Sequence, residues 1–184
     1  MPYGREPMEM LELIRETATR EHCRQLAPRM KEADIQEVRR ASGLTPLEAL
    51  ETSLDLSREA NAFILRPSGL KPKGPPRVAL KPKVVAISGV APHPKEGSVG
   101  TVTCGIVWAL TASLSGWEKT FWKTSQELIL EYEKKFLLLM NFCDVDNKET
   151  IRYLKRLGFV FIRRVEEFGV EKRPFYQFVR ISSE

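Results

Sequence analysis

Two periods of hydrophobicity divide the chain. Alternating or short continuous apolar runs predict strands at 11–18, 61–66, 83–91, 100–110, 138–144, 159–165 and 175–181. The inner part of 100–110 (GTVTCGIVWAL) is apolar on both faces, as a central strand requires. Residues 159–165 and 175–181 alternate around EEFGVEKRP, which marks a hairpin with a generous loop. Stripes of period 3.6 predict helices between these runs. The first starts after Thr19, with His22 three residues on, and heads towards Met30 with Pro28 in its path. A second covers 33–41, with Ile35 and Val38 inward and Gly43 as its stop. A third is capped by Thr45, carries Pro46 at its first position and buries Leu47, Leu50, Leu54 and Leu56. A long helix over 114–136 sets Trp117, Phe121, Leu128, Tyr132 and Phe136 near one face.

The stretch DVDNKETIRYLKRLGF, residues 144–159, organises the rest. It lies between two apolar runs, LLLMNFC and VFI, and reads as strand, polar turn, short helix, Gly stop, strand. Asp146 or Asn147 caps the helix. Glu149 in the first turn and Lys155 and Arg156 in the last suit the helix dipole. Ile151, Tyr153, Leu154 and Leu157 form the apolar stripe, and Gly158 is the expected left-handed terminator. A helix this short is not stable alone in water, so it must pack on the sheet that both runs join.

Composition narrows the picture a little. A length of 184 residues, 42% hydrophobic and 29% charged, fits one globular domain, with 1–9 as a tail and 10–184 as the folded unit. Residues 67–83 are dense in Pro, Gly and Lys and read as an exposed basic insertion, because Pro removes ladder donors from a strand. The net charge of +5 suits solvated surface or an anionic partner. No aromatic residue interleaves with the lysines of that loop, which argues against nucleic acid. Three cysteines without metal-type spacing fit a reducing cytoplasm, and two His residues support neither a His-based triad nor a metal site. No apolar run is long enough to cross a bilayer, and the N-terminus has no signal-peptide core.

Pattern alone gives an α/β or α+β domain. The run GIVWALTA, then a long helix, then NKETIRYLKRLGFVF adds a resemblance, carried by Asn147, Lys155, Leu157, Gly158 and Phe159. It resembles GNAT-type N-acetyltransferases, and more narrowly a group of GNAT-like proteins encoded by tailed phages, some described as internal virion proteins. The resemblance implies a mixed sheet flanked by helices on both faces. It implies acetyl-CoA as cofactor and an amine acceptor, or, if catalysis is lost, an assembly role beside other virion proteins. Host cytoplasm is then the expected compartment, with packaging in the virion as the variant.

The resemblance also implies a site. The end of the central strand, Val107, Trp108, Ala109 and Leu110, would bind the pantetheine arm by its main chain. The phosphates would meet Ser115, Gly116 and the start of the long helix, although no Gln/Arg heads that loop. Asn147 would lie near the cofactor. The family's usual acid falls seven residues after the Asn, at Leu154; Tyr153 is the neighbouring phenol, about 100° around the helix. Base candidates by residue type are Glu37, His93, Asp144 and Asp146, the last two at a strand's C-terminal end where open sheets place ligands.

Overall fold

The computed structural model describes residues 11–68, 81–94 and 103–182. The expected tail at 1–9 and most of the 67–83 insertion lie outside these. The strands are β1 (Leu11–Thr17), β2 (Glu59–Pro67), β3 (Lys83–Pro92), β4 (Cys104–Thr111), β5 (Leu138–Asp144), β6 (Val160–Phe168) and β7 (Arg173–Ile181). The helices are α1 (Arg20–Leu26), α2 (Glu32–Ser42), α3 (Pro46–Leu56), α4 (Glu118–Glu133) and α5 (Lys148–Arg156). The strands form one sheet in the order β1-β2-β3-β4-β5-β7-β6. Only β4 and β5 run parallel; every other pair is antiparallel.

Side chains alternate across the sheet and feed two cores. On β2, Phe63 joins a cluster with Phe121, Leu128, Tyr132, Ile151 and Leu154, which come from α4 and α5. Its neighbours Ala62 and Ile64 join the opposite cluster with Cys23, Leu26 and Leu50, from α1 and α3. The mixed sheet therefore carries helices on both faces, as expected.

Local chemistry sets the helix ends. Thr19 and His22 form a reciprocal capping box, so His22 stands in for the usual Glu. Thr45 and Glu48 form another, with Pro46 inside it. Pro28 disturbs the helix that heads towards Met30: α1 ends at Leu26 and a 3-10 turn at Ala27–Arg29 follows. The long helix starts at Glu118 rather than near Leu114, because Gly116 adopts φ +82° in the preceding turn. Leu56, expected in the core, is 66% exposed at the last position of α3.

The β6–β7 hairpin tip docks on the C-terminal end of α2. Val170 N and Glu171 N donate to Ala41 O and Arg40 O, which meets two of the carbonyls a helix end leaves unpaired. Gly169 permits this approach: with φ +68°, a Cβ there would lie 2.5 Å from Arg40 O. The hairpin thereby fixes α2 over the centre of the sheet.

Candidate functional site

The two central strands part. β4 and β5 pair only at Cys104–Leu138, Gly105–Leu139 and Ile106–Met140. Beyond that, β4 continues to Thr111 beside β3, and β5 to Asp144 beside β7. Two strand edges then face one another without a ladder. Main-chain groups left unmet in such a place cost free energy, so each one needs a partner.

Alternate residues of a strand turn their N–H and C=O to opposite edges. On β4 the even-numbered residues face β3: Cys104 O accepts from His93 N, and just beyond the strand Ala112 N donates to Val85 O. The odd-numbered residues face β5. Thr103 O accepts from Leu138 N. Val107 O accepts from Asn141 Nδ2 at 2.7 Å. Thr111 N donates to Asp34 Oδ2 at 2.9 Å, and Thr111 O accepts from Lys31 N at 2.8 Å. Ala109 is the odd residue between them, and its amide and carbonyl point into the gap with no strand opposite. The main-chain groups of Trp108 and Leu110 are turned towards β3. Trp108 instead sends its indole N–H to Ser57 Oγ at 2.8 Å.

Asn141 closes the apex of the gap. Its Nδ2 holds Val107 O, and its Oδ1 accepts from Phe142 N at 2.8 Å. Asn141 was not among the residues singled out from sequence, though its signal was there: one amide inside the otherwise apolar strand LLMNFCD.

Helix α2 spans the open end. Asp34, Glu37 and Arg40 recur at three-residue spacing and share a face. Asp34 is buried and takes both Thr111 N and Thr111 Oγ1, at 2.9 and 3.0 Å. Glu37 Oε2 accepts from Asn147 Nδ2 at 2.9 Å and Asp144 N at 3.2 Å, with Cys143 Sγ at 3.6 Å. Arg40 Nη1 donates to Asp144 Oδ2 at 2.7 Å and Asp146 Oδ2 at 3.2 Å. One helix face therefore ties β4 to β5 where the ladder is missing. Asp34 and Arg40 also went unnamed in the sequence; a polar stripe beside Ile35 and Val38 looks like a solvated face until its partners are known.

Electrostatics single out Glu37. Burial pushes its carboxyl up to about 7, the Asn147 amide pulls the other way, and the nearby Asp34 charge adds to the rise. Burial also raises Asp34. The Cys143 thiol is raised by burial and by Glu37 beside it, so it stays protonated.

The other candidates divide. Asn147 caps α5, accepting from Thr150 N at 3.3 Å, and holds Glu37 with the same amide. Asp144 is buried, and its Oδ1 accepts from Asp146 N at 2.8 Å. Asp146 also meets Arg173 at 3.1 Å. Ala33, Gln36, Arg40, Asp144, Asp146 and Asn147 line a hollow of about 190 Å³ at this end of the gap. Tyr153 stacks on Phe121 of α4, with ring centroids 5.8 Å apart. Its hydroxyl is buried, which raises it above the ordinary phenol range, with the Ser125 hydroxyl of α4 nearby pulling the other way. Leu154 is buried in the core. Ser115 and Gly116 are exposed in the turn before α4, whose first turn carries the acid Glu118. His93 sits just past the end of β3 and bonds Cys104, at the other end of β4. Among the described residues no cluster of three or more His, Cys, Asp or Glu could hold a metal ion, and no helix is long and apolar enough to cross a membrane.

Comparisons with known proteins agree with this architecture. The family model described as "Bacteriophage T7, probable scaffold protein Gp13" matches residues 79–168. No curated protein matches the chain. Among solved structures, the ribosomal-protein-alanine N-acetyltransferase of Brucella melitensis superposes with a TM-score of 0.62 at 17% identity, over 91% of this chain and 99% of that one. The GNAT-family acetyltransferase of Streptococcus pneumoniae gives 0.57 at 11%, over 94% and 100%. The yncA protein of Salmonella typhimurium, solved with its cofactor acetyl-CoA, gives 0.59 at 13%, over 94% and 95%. A mixed sheet flanked by helices is thus a shared architecture: the chain has the fold of the GNAT acetyltransferases.

Proposed function

We propose that the protein is a phage-encoded N-acetyltransferase that seats acetyl-CoA in the β4–β5 gap and delivers its acetyl group to an amine at the α2 end. One observation carries this: the free main-chain edge of Ala109 faces a gap whose far end holds a carboxyl group of near-neutral proton affinity, Glu37. An extended pantetheine arm adds to such an edge as a strand would. Ser115, Gly116 and the first-turn amides of α4 are the groups that would meet the phosphates.

The chemistry asks little of the protein. The amine nitrogen attacks the thioester carbonyl carbon; a C–N bond forms and the C–S bond breaks. The amine proton passes to the Glu37 carboxylate, and the sulfur leaves as a thiolate that takes a proton from water, since the Tyr153 hydroxyl is enclosed in the core beside Phe121. Glu37 suits the role because a base works best with a pKa near the working pH. Asp144 and Arg40 are positioning residues that hold Glu37 and Asn147 against β5. The 190 Å³ hollow beside them is the acceptor's place.

The test is a titration with acetyl-CoA, followed by melting temperature. A ligand at about 100 times its Kd that binds only the folded state adds about 2.7 kcal/mol. Thiol release measured across a panel of amines, with E37Q alongside, then reads the base. The variant should bind normally and turn over about 100- to 10,000-fold more slowly. No stabilisation at millimolar acetyl-CoA removes the enzyme.

A second reading, a GNAT-fold scaffold component of a virion without catalysis, has its own support. Glu118 puts a negative charge in the helix turn where phosphates would sit, and the matching family model is described as a scaffold protein. Recovery of the chain from purified particles by mass spectrometry, together with no response to acetyl-CoA, would select it.

A further inference from the structure

β6 is the last strand of the sheet, and among the described residues no strand pairs with its outer side. An open edge of this kind is a template for another chain. Its sequence is VFIRRVEEF, followed by Gly169 and Val170. Val160, Ile162 and Val170 are each more than half exposed. A groove of about 420 Å³, lined by Gly158, Val160, Ile162, Val179, Arg180 and Ile181, runs beside its start. Two basic residues, Arg163 and Arg164, and two acidic ones, Glu166 and Glu167, flank Val165 on the exposed strand. Arg164 and Glu166 meet at 3.0 Å on the open surface, where an ion pair contributes little.

We propose that β6 pairs antiparallel with β6 of a second copy of this chain, about a two-fold axis through Val165. The charge order of the strand is self-complementary in that register. Arg164 faces the partner's Glu166, and Arg163 faces the partner's Glu167. Ile162 comes opposite the partner's Phe168, while Val170 lies beyond the strand in the turn that docks on α2 and takes no part in the pairing. Every charge of the strand meets its opposite, and Ile162 meets an apolar residue.

Neighbouring registers fail this test. An axis one position towards Arg164 sets that arginine against its own copy. An axis through Glu166 does the same with acids. Half-steps set Ile162 against Glu167, or Arg163 against Phe168. The ladder to β7 shifts between Phe161 and Arg163 and again between Val165 and Phe168, so the outer edge is not a uniform row of donors and acceptors. Side-chain pairing, more than main-chain bonding, therefore fixes the register. The contact is isologous and closes at two chains. It does not depend on whether the gap binds acetyl-CoA.

Charge-reversed variants test it in the full-length chain by sedimentation equilibrium. The wild type should have twice the chain mass at about 100 μM, enough to fill a micromolar interface. R163E/R164E and E166R/E167R should each be monomeric, because like charges then face across the axis. Mixed one to one, they should form a heterodimer, since one edge is now wholly acidic and the other wholly basic. That recovery also shows that both variants fold. A monomeric wild type, a variant that stays dimeric alone, or a mixture that stays monomeric would each overturn the proposal.

Discussion

Glu37 gives the sharpest physical prediction, because its proton affinity reports how dry the gap is. Its carboxyl moves from an ordinary value of 4.5 to about 7, chiefly through burial. The folded state therefore holds the proton to higher pH than the unfolded chain does. Between these values the native protein binds more protons, so stability falls as pH rises, and the loss is complete above about pH 7. At about 1.4 kcal/mol per pH unit the full loss is about 3 kcal/mol. Most of that loss falls between pH 5 and pH 8. E37Q keeps the shape and an acceptor but never ionises. Urea unfolding of both proteins across that range isolates the term, since most other groups cancel in the difference. The wild-type advantage over E37Q should shrink by roughly 2 to 3 kcal/mol from pH 5 to pH 8. A difference that stays flat would mean that Glu37 titrates as in water and that the α2 end of the gap is open to solvent.

Further outcomes follow from the same geometry. R40A strands the buried Asp144 carboxylate and should cost about 3 kcal/mol in urea unfolding, whereas D146A, at an exposed pair, should cost under about 1 kcal/mol. Y153F removes a buried hydroxyl whose polar neighbour is Ser125 and should change stability by no more than about 1 kcal/mol in urea unfolding; a larger loss would show a strong hydrogen bond there. G169A should destabilise by at least about 2 kcal/mol more than G43A: both glycines have positive φ, but only at Gly169 would the new Cβ meet backbone, at 2.5 Å.

Much of this fold is written locally, and that part was legible. Thr45, Pro46 and Glu48 announce a helix start, and Asn147 and Gly158 bracket α5, because caps depend on residues a few positions apart. The alternation in β6 and β7 likewise needs only neighbours. Where local signals compete, the ends are harder to place: Pro28, already in the path of α1, cut that helix short, and Gly116 delayed α4 beyond the expected Leu114. The candidate site was legible only in part. Glu37 was nameable by type, and Asn147 by its place before α5. Their meeting at 2.9 Å joins residues 110 positions apart, and no local pattern encodes that. Asn141, half-buried, and Asp34, buried, are polar groups whose purpose appears only once β4 and β5 are seen to separate. The free edge of Ala109 has no sequence signature at all, since it belongs to the main chain and follows from the parity of its neighbours' hydrogen bonds.

That parity yields the most direct measurement, amide hydrogen exchange resolved by NMR with and without acetyl-CoA. The amides of Trp108 and Leu110, held by β3, should be protected throughout. The Ala109 amide should exchange rapidly in the free protein and become protected when acetyl-CoA is added. An Ala109 amide already slow without ligand, or one that acetyl-CoA at millimolar concentration leaves unchanged, would contradict a gap built to receive an extended guest.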